Sequence, residues 1–312
     1  MTDASWEVLS NQAVAASGVV YFLALLAHLV QWAGLRKLPA EQQVTSGPIA
    51  MAGRLGVLLT VVAVGVHLIA LVGRGMAADP NRVPWGNMYE FTLSGTFFVG
   101  FLYLLFLRRF KLEWMGPLVV AFVLTMMMLA VVWLYDPVAP LTEALYSPWL
   151  VIHVVSAVIA TAAFTLGGIC SVLYLFKERS RAQRGYLARL PALTSLDRIS
   201  YRMHAFGFPV WTFAVLITGP IWAHEAWSSY WNWDPKEVWA FITWVVYAAY
   251  LHARATAGWK GRNAAIVALV GLATLWFNFI GINFFSSNSQ HSYAAPMVSS
   301  VAIHSTTSEV SR

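Results

Sequence analysis

The sequence has little cysteine and little charge. Cys170 is the one cysteine in 312 residues, so no internal disulfide, Cys-x-x-Cys redox pair or zinc site can be built from its thiol. Only 11% of the residues are charged, whereas soluble domains carry about 25%. The residues are 59% hydrophobic and the mean hydropathy is +0.63, a composition that excludes an ordinary soluble domain and indicates a membrane protein.

The basic residues do not indicate a nucleic-acid partner. The sequence pI is near 9.5, but Lys and Arg lie between apolar runs and form no basic patch on a soluble domain. At the N-terminus, Asp3 and Glu7 precede the first apolar run and no basic stretch does, so we expect no cleaved signal peptide.

Eight apolar runs are long enough to cross about 30 Å of hydrocarbon. They lie at roughly 13–35, 55–73, 88–107, 117–135, 149–176, 205–224, 238–256 and 264–285. The sequence therefore predicts an all-α fold, a polytopic membrane helical bundle of about eight transmembrane helices. We expect one membrane domain over 1–312, with a polar C-terminal tail at 286–312.

The distribution of positive charge predicts the orientation. Most of the 20 Lys and Arg residues lie in four segments, at 36–54, 108–116, 177–204 and 254–263. Because positive charge marks the cytoplasmic side, both termini are predicted to face outside. The segment 177–204 is expected to lie near anionic membrane lipid.

An aromatic segment follows the sixth run, from Trp222 to Trp239. An aromatic belt at the membrane interface accounts for part of it, but Trp227, Trp231 and Trp233 belong to the predicted outer loop at about 225–239. A flat aromatic surface suits a flat, apolar, polarisable ligand such as a porphyrin. Asp234 is predicted to cap the seventh helix, because Pro and Glu follow it at the favoured positions.

Two histidines, His153 and His291, are brought to the outer side by this topology. Either alone would be an ordinary interface residue, but with the aromatic loop they favour axial ligation of a haem iron. His67 in the outer half of the second span and His252 near the inner end of the seventh are further candidates, because ionisable groups within a bilayer are costly. For the remaining membrane-edge histidines, an interface position is explanation enough; these are His28, His204 and, in the tail, His304.

The aromatic segment contains a longer sequence motif. The string Trp231-Asn-Trp-Asp-Pro-Lys-Glu-Val-Trp239 resembles the WWD signature of the CcsA (ResC, or actinobacterial CcsB) cytochrome c biogenesis family. The similarity extends to further segments along most of the chain: Pro84-Trp-Gly-Asn-Met-Tyr-Glu-Phe91, Gly219-Pro-Ile-Trp-Ala223 and His291-Ser-Tyr293. This family is part of the haem-handling superfamily.

The resemblance implies a role in the System II pathway of cytochrome c biogenesis. Such proteins work in the plasma membrane with a ResB (Ccs1-type) membrane partner. Together they transport haem b outward as a substrate in transit and join its vinyl groups to the thiols of an apocytochrome c Cys-x-x-Cys-His motif. The chain would then be a component of a holocytochrome c synthase complex with its haem site on the extracytoplasmic face. A separate thioredoxin-like reductant is also expected, because a chain with one cysteine cannot reduce a disulfide between the motif cysteines to free thiols.

The resemblance also assigns roles to individual residues. His153 and His291 match the external axial ligands of the haem, and His252 matches a histidine that holds haem within the membrane, with a second ligand expected from the partner. His67 is a weaker candidate. The sequence departs from the family where His224-Glu-Ala-Trp-Ser228 replaces the usual Asn-Glu-Ala-Trp-Gly; His224 is either an extra ligand or a neutral substitution.

Two other functions would require different features of the sequence. A b-type cytochrome electron-transfer subunit would need histidine pairs facing each other inside a bundle, whereas His67 and His252 are predicted at different depths. A substrate transporter without attachment chemistry would show charged or broken helices near the midplane, and none of the eight runs carries a charge there. A quinone-linked redox assay would distinguish the electron-transfer subunit from the cytochrome c biogenesis protein.

Overall fold

The chain folds into long α-helices. The computed structural model describes residues 2–39, 42, 44–140, 145–180, 185–286 and 289, and these contain no strand. The long helices are α1 (Asp3–Leu35), α2 (Gly47–Met76), α3 (Met88–Phe110), α4 (Gly116–Leu129), α5 (Pro148–Arg179), α7 (Leu193–Thr212), α9 (Pro235–Thr256) and α10 (Arg262–Trp276). The short ones are α6 (Tyr186–Arg189), α8 (Gly219–Trp227) and α11 (Ile282–Phe285). The all-α prediction is confirmed.

Three helices continue into π-helical segments. Ala130–Leu134 extends α4, Phe213–Thr218 joins α7 to α8, and Phe277–Gly281 joins α10 to α11. A π turn is rare and often accompanies a functional site, because its wider hydrogen-bonding register redirects nearby side chains and carbonyl groups. The second and third of these segments border the cavity described below.

Within the described residues, seven helical stretches are long and apolar enough to cross a membrane, so the chain is a multi-pass membrane protein. The one further predicted span, the run at 238–256, corresponds to α9, which has 22 residues and would reach about 33 Å. It does not meet the same composition criterion, because it carries charged residues at both ends and many Trp and Tyr side chains. The predicted polytopic bundle is confirmed, with seven spans supported by composition and the eighth by length.

The helices begin and end where the local sequence dictates. Asn87 caps α3 by accepting a hydrogen bond from the Glu90 amide at 2.9 Å. Ser147 caps α5, with Pro148 at the first helical position. At the other end of α3, Lys111 adopts a left-handed backbone with φ 52°, which reverses the chain toward α4. The short turn predicted between the third and fourth spans is therefore present.

The two largest of four hydrophobic clusters among the described residues form the main cores of the bundle. The larger lies among α1 to α5 and α7, with Tyr21, Leu93 and Met127 fully buried. The smaller lies among α5, α7, α9 and α10 around Phe164 and Tyr247, whose rings stack at 3.9 Å. Cys170 is fully buried in the larger core, which confirms its prediction as a small packing residue.

A buried cluster of charged residues joins the end of α2 to the start of α3. Glu90 accepts hydrogen bonds from Arg74 Nε at 2.8 Å, Arg82 Nη1 at 2.7 Å and the Gly86 amide at 2.7 Å. The side chains of Arg74 and Glu90 are fully buried. Arg74 also donates to the Asp136 carbonyl, so the cluster fixes the 74–90 segment against the segment that follows α4.

A second ion pair joins α7 to α9 beside the smaller core. Arg254 on α9 donates to both carboxylate oxygens of Asp197 on α7, at 2.6 and 3.1 Å. The Gly261 amide donates to the same carboxylate at 3.0 Å. Asp197 therefore connects α7, α9 and the turn that leads into α10.

Candidate functional site

A cavity of about 210 Å³ lies among α3, α4, α5, α7 with its π extension, α8, α9 and α10. Its lining is mainly apolar, with a prominent aromatic component that includes Trp211, Trp222, Trp231 and Trp276. A few polar side chains also line it, notably His153. An apolar pocket with few polar groups is typical of a small-molecule or cofactor site, and flat aromatic walls suit a flat ligand.

His153 enters the cavity from the first turns of α5 with its ring orientation fixed. Its Nδ1 lies 2.9 Å from the Ala214 carbonyl oxygen. A carbonyl only accepts, so Nδ1 carries the hydrogen and the neutral ring has its lone pair on Nε2. The ring also lies nearly parallel to Trp222, with centroids 6.0 Å apart. Histidines that ligate metals are held in this way, by an N–H bond from the other ring nitrogen.

The carbonyl that orients His153 belongs to the π segment Phe213–Thr218. The Ala214 oxygen accepts from the Gly219 amide, five residues later, and from the Thr218 hydroxyl at 3.1 Å. A glycine is favoured at position 219 because the Ala214 carbonyl and the His153 ring pack closely against it. A Cβ there would lie 3.0 Å from the Ala214 oxygen and 3.2 Å from the Nδ1 and Cε1 of His153. The local sequence Thr218-Gly219 thus holds both the carbonyl and the imidazole in place.

The three loop tryptophans predicted to stack on the ligand occupy different environments. Trp231 lines the cavity. Trp233 is 75% exposed and has φ 56°, a backbone conformation that is unusual for a bulky residue. Trp227 packs against Trp222 at 4.8 Å, within a cluster that includes Trp85. Stacking of all three on a ligand stays a prediction.

Asp234 caps α9 as predicted. Its carboxylate accepts from the Lys236 amide at 2.8 Å, while Glu237 accepts from the amides of Asp234 at 3.1 Å and Asn232 at 2.9 Å, which completes a capping box. The Ser289 hydroxyl donates to the buried Asp234 carboxylate at 2.9 Å. The cap therefore fixes the start of α9, the loop before it and the chain at residue 289.

The other candidate histidines lie away from this cavity or outside the described residues. His67 is fully buried on α2, with Nδ1 3.5 Å from the Tyr21 hydroxyl. His252 is exposed near the end of α9. His224 is exposed and stacks on Tyr230 at 4.2 Å. His291 lies outside the described residues, so its role as a ligand stays a prediction, as do those of His67 and His252.

Sequence reasoning missed Lys236, Asn278 and Trp222, which all line the cavity. Lys236 stands within the aromatic motif and was read only as part of a helix start. Asn278 is a polar residue inside an apolar run, a signal that could have singled it out. Trp222 was read as part of an aromatic belt, and its packing on His153 depends on the π segment that precedes it.

Comparisons with known proteins agree with this architecture. Residues 85–288 match the family described as cytochrome C assembly protein. The cytochrome c biogenesis protein CcsA of Chlamydomonas reinhardtii is 39% identical over 68% of this chain, which spans 61% of that relative. CcsA of a Synechococcus species is 30% identical over 94% of this chain and 96% of the relative.

A solved structure has the same fold. The chain superposes on the cytochrome c haem lyase CcmF with a TM-score of 0.64 and 15% identity, over 89% of this chain and 47% of that one. At this identity the likeness concerns the fold alone. The family match covers most of the chain and the Synechococcus relative is matched over nearly its full length, so this chain belongs to the cytochrome c assembly protein family.

Proposed function

We propose that this chain binds haem b in the cavity beside His153 and presents it for covalent attachment to apocytochrome c. The observation that carries the proposal is the fixed His153 tautomer, whose Nε2 lone pair belongs to a ring that lines an aromatic, largely apolar cavity. Neutral imidazole is an axial ligand of haem iron, and the porphyrin plane would contact the tryptophan rings.

The second axial ligand in this proposal is His291. Support comes from Ser289, two residues earlier, whose hydroxyl bonds to the Asp234 carboxylate at the start of α9. Trp231 and Lys236, on either side of that cap, both line the cavity. A bis-histidine site would release one ligand when the histidine of the apocytochrome motif takes its place.

The chemistry of attachment requires positioning rather than a protein nucleophile. Each cysteine thiol adds across a vinyl double bond: the sulfur bonds to the inner vinyl carbon, and the thiol hydrogen is gained by the outer carbon. The addition involves no net oxidation or reduction once the thiols are free. Holding a vinyl group against a thiol in reactive geometry supplies the rate advantage of an intramolecular reaction.

Other proteins complete the proposed pathway. Cys170 is fully buried and is the chain's one cysteine, so a separate thioredoxin-like protein would reduce the disulfide of the apocytochrome motif to its two thiols. We place the chain in the plasma membrane beside a ResB/Ccs1-type partner, with the cavity on the extracytoplasmic side as the charge distribution predicts. His252, exposed on α9, would hold haem against that partner on its way outward.

The environments of the buried histidines favour haem as cargo over fixed haems that carry electrons. His28, His67 and His204 are fully buried, and none lines the cavity. His204 donates from Nδ1 to the Ser200 carbonyl at 2.7 Å and stands among aromatic rings. His67 meets Tyr21 and Phe97. These side chains are packed into helix interfaces in the described structure.

Co-expression tests the proposed function directly. The chain, its ResB-type partner and an apocytochrome c would be produced in a bacterial host deleted for its own cytochrome c assembly genes. We expect covalent haem on the cytochrome, seen by haem staining after denaturing electrophoresis, only when the chain is present. An apocytochrome with both motif cysteines replaced by alanine is the control. Absence of covalent haem, together with a purified complex that lacks haem, would refute the proposal.

Replacing Gly219 with alanine should weaken the His153 site without unfolding the chain. The added methyl group would lie 3.0 Å from the Ala214 oxygen and 3.2 Å from the imidazole, so one of them must shift by a few tenths of an ångström. Perturbing the hydrogen bond that orients a metal-ligating histidine lowers affinity roughly tenfold. Haem titration of the complex, followed by absorption, measures the effect.

Gly65→Ala is the matched control, because a Cβ at Gly65 meets no atom within 4 Å. Its haem affinity should equal that of the wild type. Equal affinities for Gly219→Ala and Gly65→Ala would contradict a role for the ring orientation of His153.

A further inference from the structure

Lys236 provides the one cationic side chain among the described residues that line the cavity, apart from the titratable imidazole of His153. It lies in the first turn of α9, and its Nζ donates to Asn283 Oδ1 at 2.8 Å. An ammonium has three N–H donors. Asn283 is buried on α11, so this bond directs the ammonium toward the π segment Phe277–Gly281.

A buried amide lies on that same π segment. Asn278 is 7% exposed, lines the cavity, and its side-chain oxygen has no hydrogen-bond partner in the described structure. A buried acceptor without a partner costs free energy, and a carboxylate cannot supply the missing donor; the side-chain N–H group of Asn278 is the donor that a carboxylate would use. Lys236 and Asn278 both line a cavity whose walls are otherwise mostly apolar, and the two together are called the polar corner.

The acidic groups beside this corner are engaged by backbone amides. Glu237 also lines the cavity, but its carboxylate accepts from the amides of Asn232 and Asp234. The Asp234 carboxylate accepts from the Lys236 amide and the Ser289 hydroxyl. Both acids are therefore fixed in the helix cap, where Asp234 also attracts the Lys236 ammonium, and a side chain of another helix holds that ammonium.

We propose that Lys236 and Asn278 form a carboxylate subsite that binds a propionate of the haem, an inference that rests on the proposed function. An ammonium and an amide N–H group are complementary to a carboxylate, and a charge-assisted hydrogen bond is about twice as strong as a neutral one. The corner and His153 line one cavity from different helices, so the same ligand would contact the metal-binding residue and the carboxylate subsite.

This subsite would set the rotation of the porphyrin in its own plane. An axial histidine fixes the iron but permits rotation about the iron–nitrogen bond. Haem b carries its two propionates along one edge and its two vinyl groups elsewhere on the ring. Fixing a propionate therefore determines where both vinyl groups point. Lys236 acts here as a positioning residue that determines which thiol meets which vinyl group.

Comparing haem with its dimethyl ester tests the inference. The ester retains the iron and the ring but has no carboxylate. Both would be titrated by absorption into the haem-free complex of the chain with its membrane partner. We expect the wild-type complex to bind haem roughly tenfold more tightly than the diester, as for the loss of one charge-assisted hydrogen bond. Equal affinities in the wild type would overturn the inference.

Variants locate the effect. Lys236→Met should bind both ligands with the affinity that the wild type has for the diester, and Asn278→Leu should reduce the preference in the same direction. Lys236→Arg, which keeps the charge, and Lys260→Met, which removes an exposed lysine elsewhere, should keep the preference. A Lys236→Met complex that still prefers haem would refute the subsite. A wild-type complex that binds neither ligand would refute the proposed function itself.

Discussion

Replacing His153 with alanine is expected to remove the bis-histidine haem spectrum from the complex of this chain with its membrane partner. His153 supplies the imidazole whose Nδ1–H group is fixed by the Ala214 carbonyl, so its loss removes a preoriented iron ligand. Without it, the iron keeps at most one protein ligand at this site. We expect the reduced low-spin haem bands that this site contributes, as distinct from those of haem held at His252, to fall to less than about a tenth of their wild-type amplitude, since metal-site changes of this kind cost 10- to 100-fold in affinity.

Imidazole added to the His153→Ala complex should restore the spectrum, because the free ligand can occupy the space that the side chain leaves. The measurement is the reduced-minus-oxidised difference spectrum of the purified complex with and without imidazole. His67→Ala and His224→Ala are matched controls that remove histidines which do not line the cavity, and each should retain the spectrum. A haem signal that survives in His153→Ala but disappears in His67→Ala would instead indicate a haem held within the bilayer.

The bundle could be predicted from the sequence because membrane solvation leaves few choices. A long apolar run in lipid must satisfy its own backbone groups, and a helix does so. The π segments were not predictable, since the apolar sequence of Phe213–Thr218 suits an ordinary α-helix equally well. Its hydrogen-bonding register depends on packing against α5, where His153 supplies an additional donor to the Ala214 oxygen.

Part of the candidate site was also visible in the sequence. The aromatic motif and the topology placed Trp231 and His153 on one side of the membrane, and both line the cavity. The directions in which the loop side chains point could not be predicted from the sequence. Ser228 and Trp233 adopt left-handed backbone conformations, which propensity does not predict for such residues. These conformations separate Trp233 from the cavity wall that Trp231 forms.

The buried charged cluster around Glu90 explains why the 84–91 segment, which resembles the family sequence, matters for the fold. Glu90 binds the Gly86 amide, and Trp85 donates to the Ser94 hydroxyl at 3.0 Å while packing in the cluster that contains Trp222. Met88, in the same segment, lines the cavity. The buried carboxylate therefore shapes one wall of the site without contacting it.

Replacing Glu90 with alanine should destabilise the folded chain by about 3–5 kcal/mol, the usual cost of removing one partner of a buried ion pair. The change would leave the fully buried Arg74, and with it Arg82, without the carboxylate that both now contact. Thermal unfolding of the detergent-solubilised protein, monitored by size-exclusion chromatography after heating, should show a midpoint lowered by roughly 10 °C.

Glu7→Ala is the matched control, because it removes a carboxylate from the same arginine at a partly exposed position. Glu7 Oε1 lies 3.8 Å from Arg74 Nη1, and its side chain is 32% exposed. An ion pair of this kind contributes at most about 1 kcal/mol. If Glu90→Ala and Glu7→Ala lowered the midpoint equally, burial of the charges would not be the source of the effect.

A double variant separates charge from packing. If the penalty of Glu90→Ala arises from uncompensated buried charge, then Arg74→Met combined with Glu90→Met should recover part of the lost stability, because an apolar pair of similar size leaves no arginine at position 74 to desolvate. Arg82, with 6% of its side chain exposed, lies nearer to water and has the Ala139 carbonyl as a further acceptor. A double variant less stable than Glu90→Ala would show instead that Arg74 stabilises the fold through contacts other than Glu90, such as its bond to the Asp136 carbonyl.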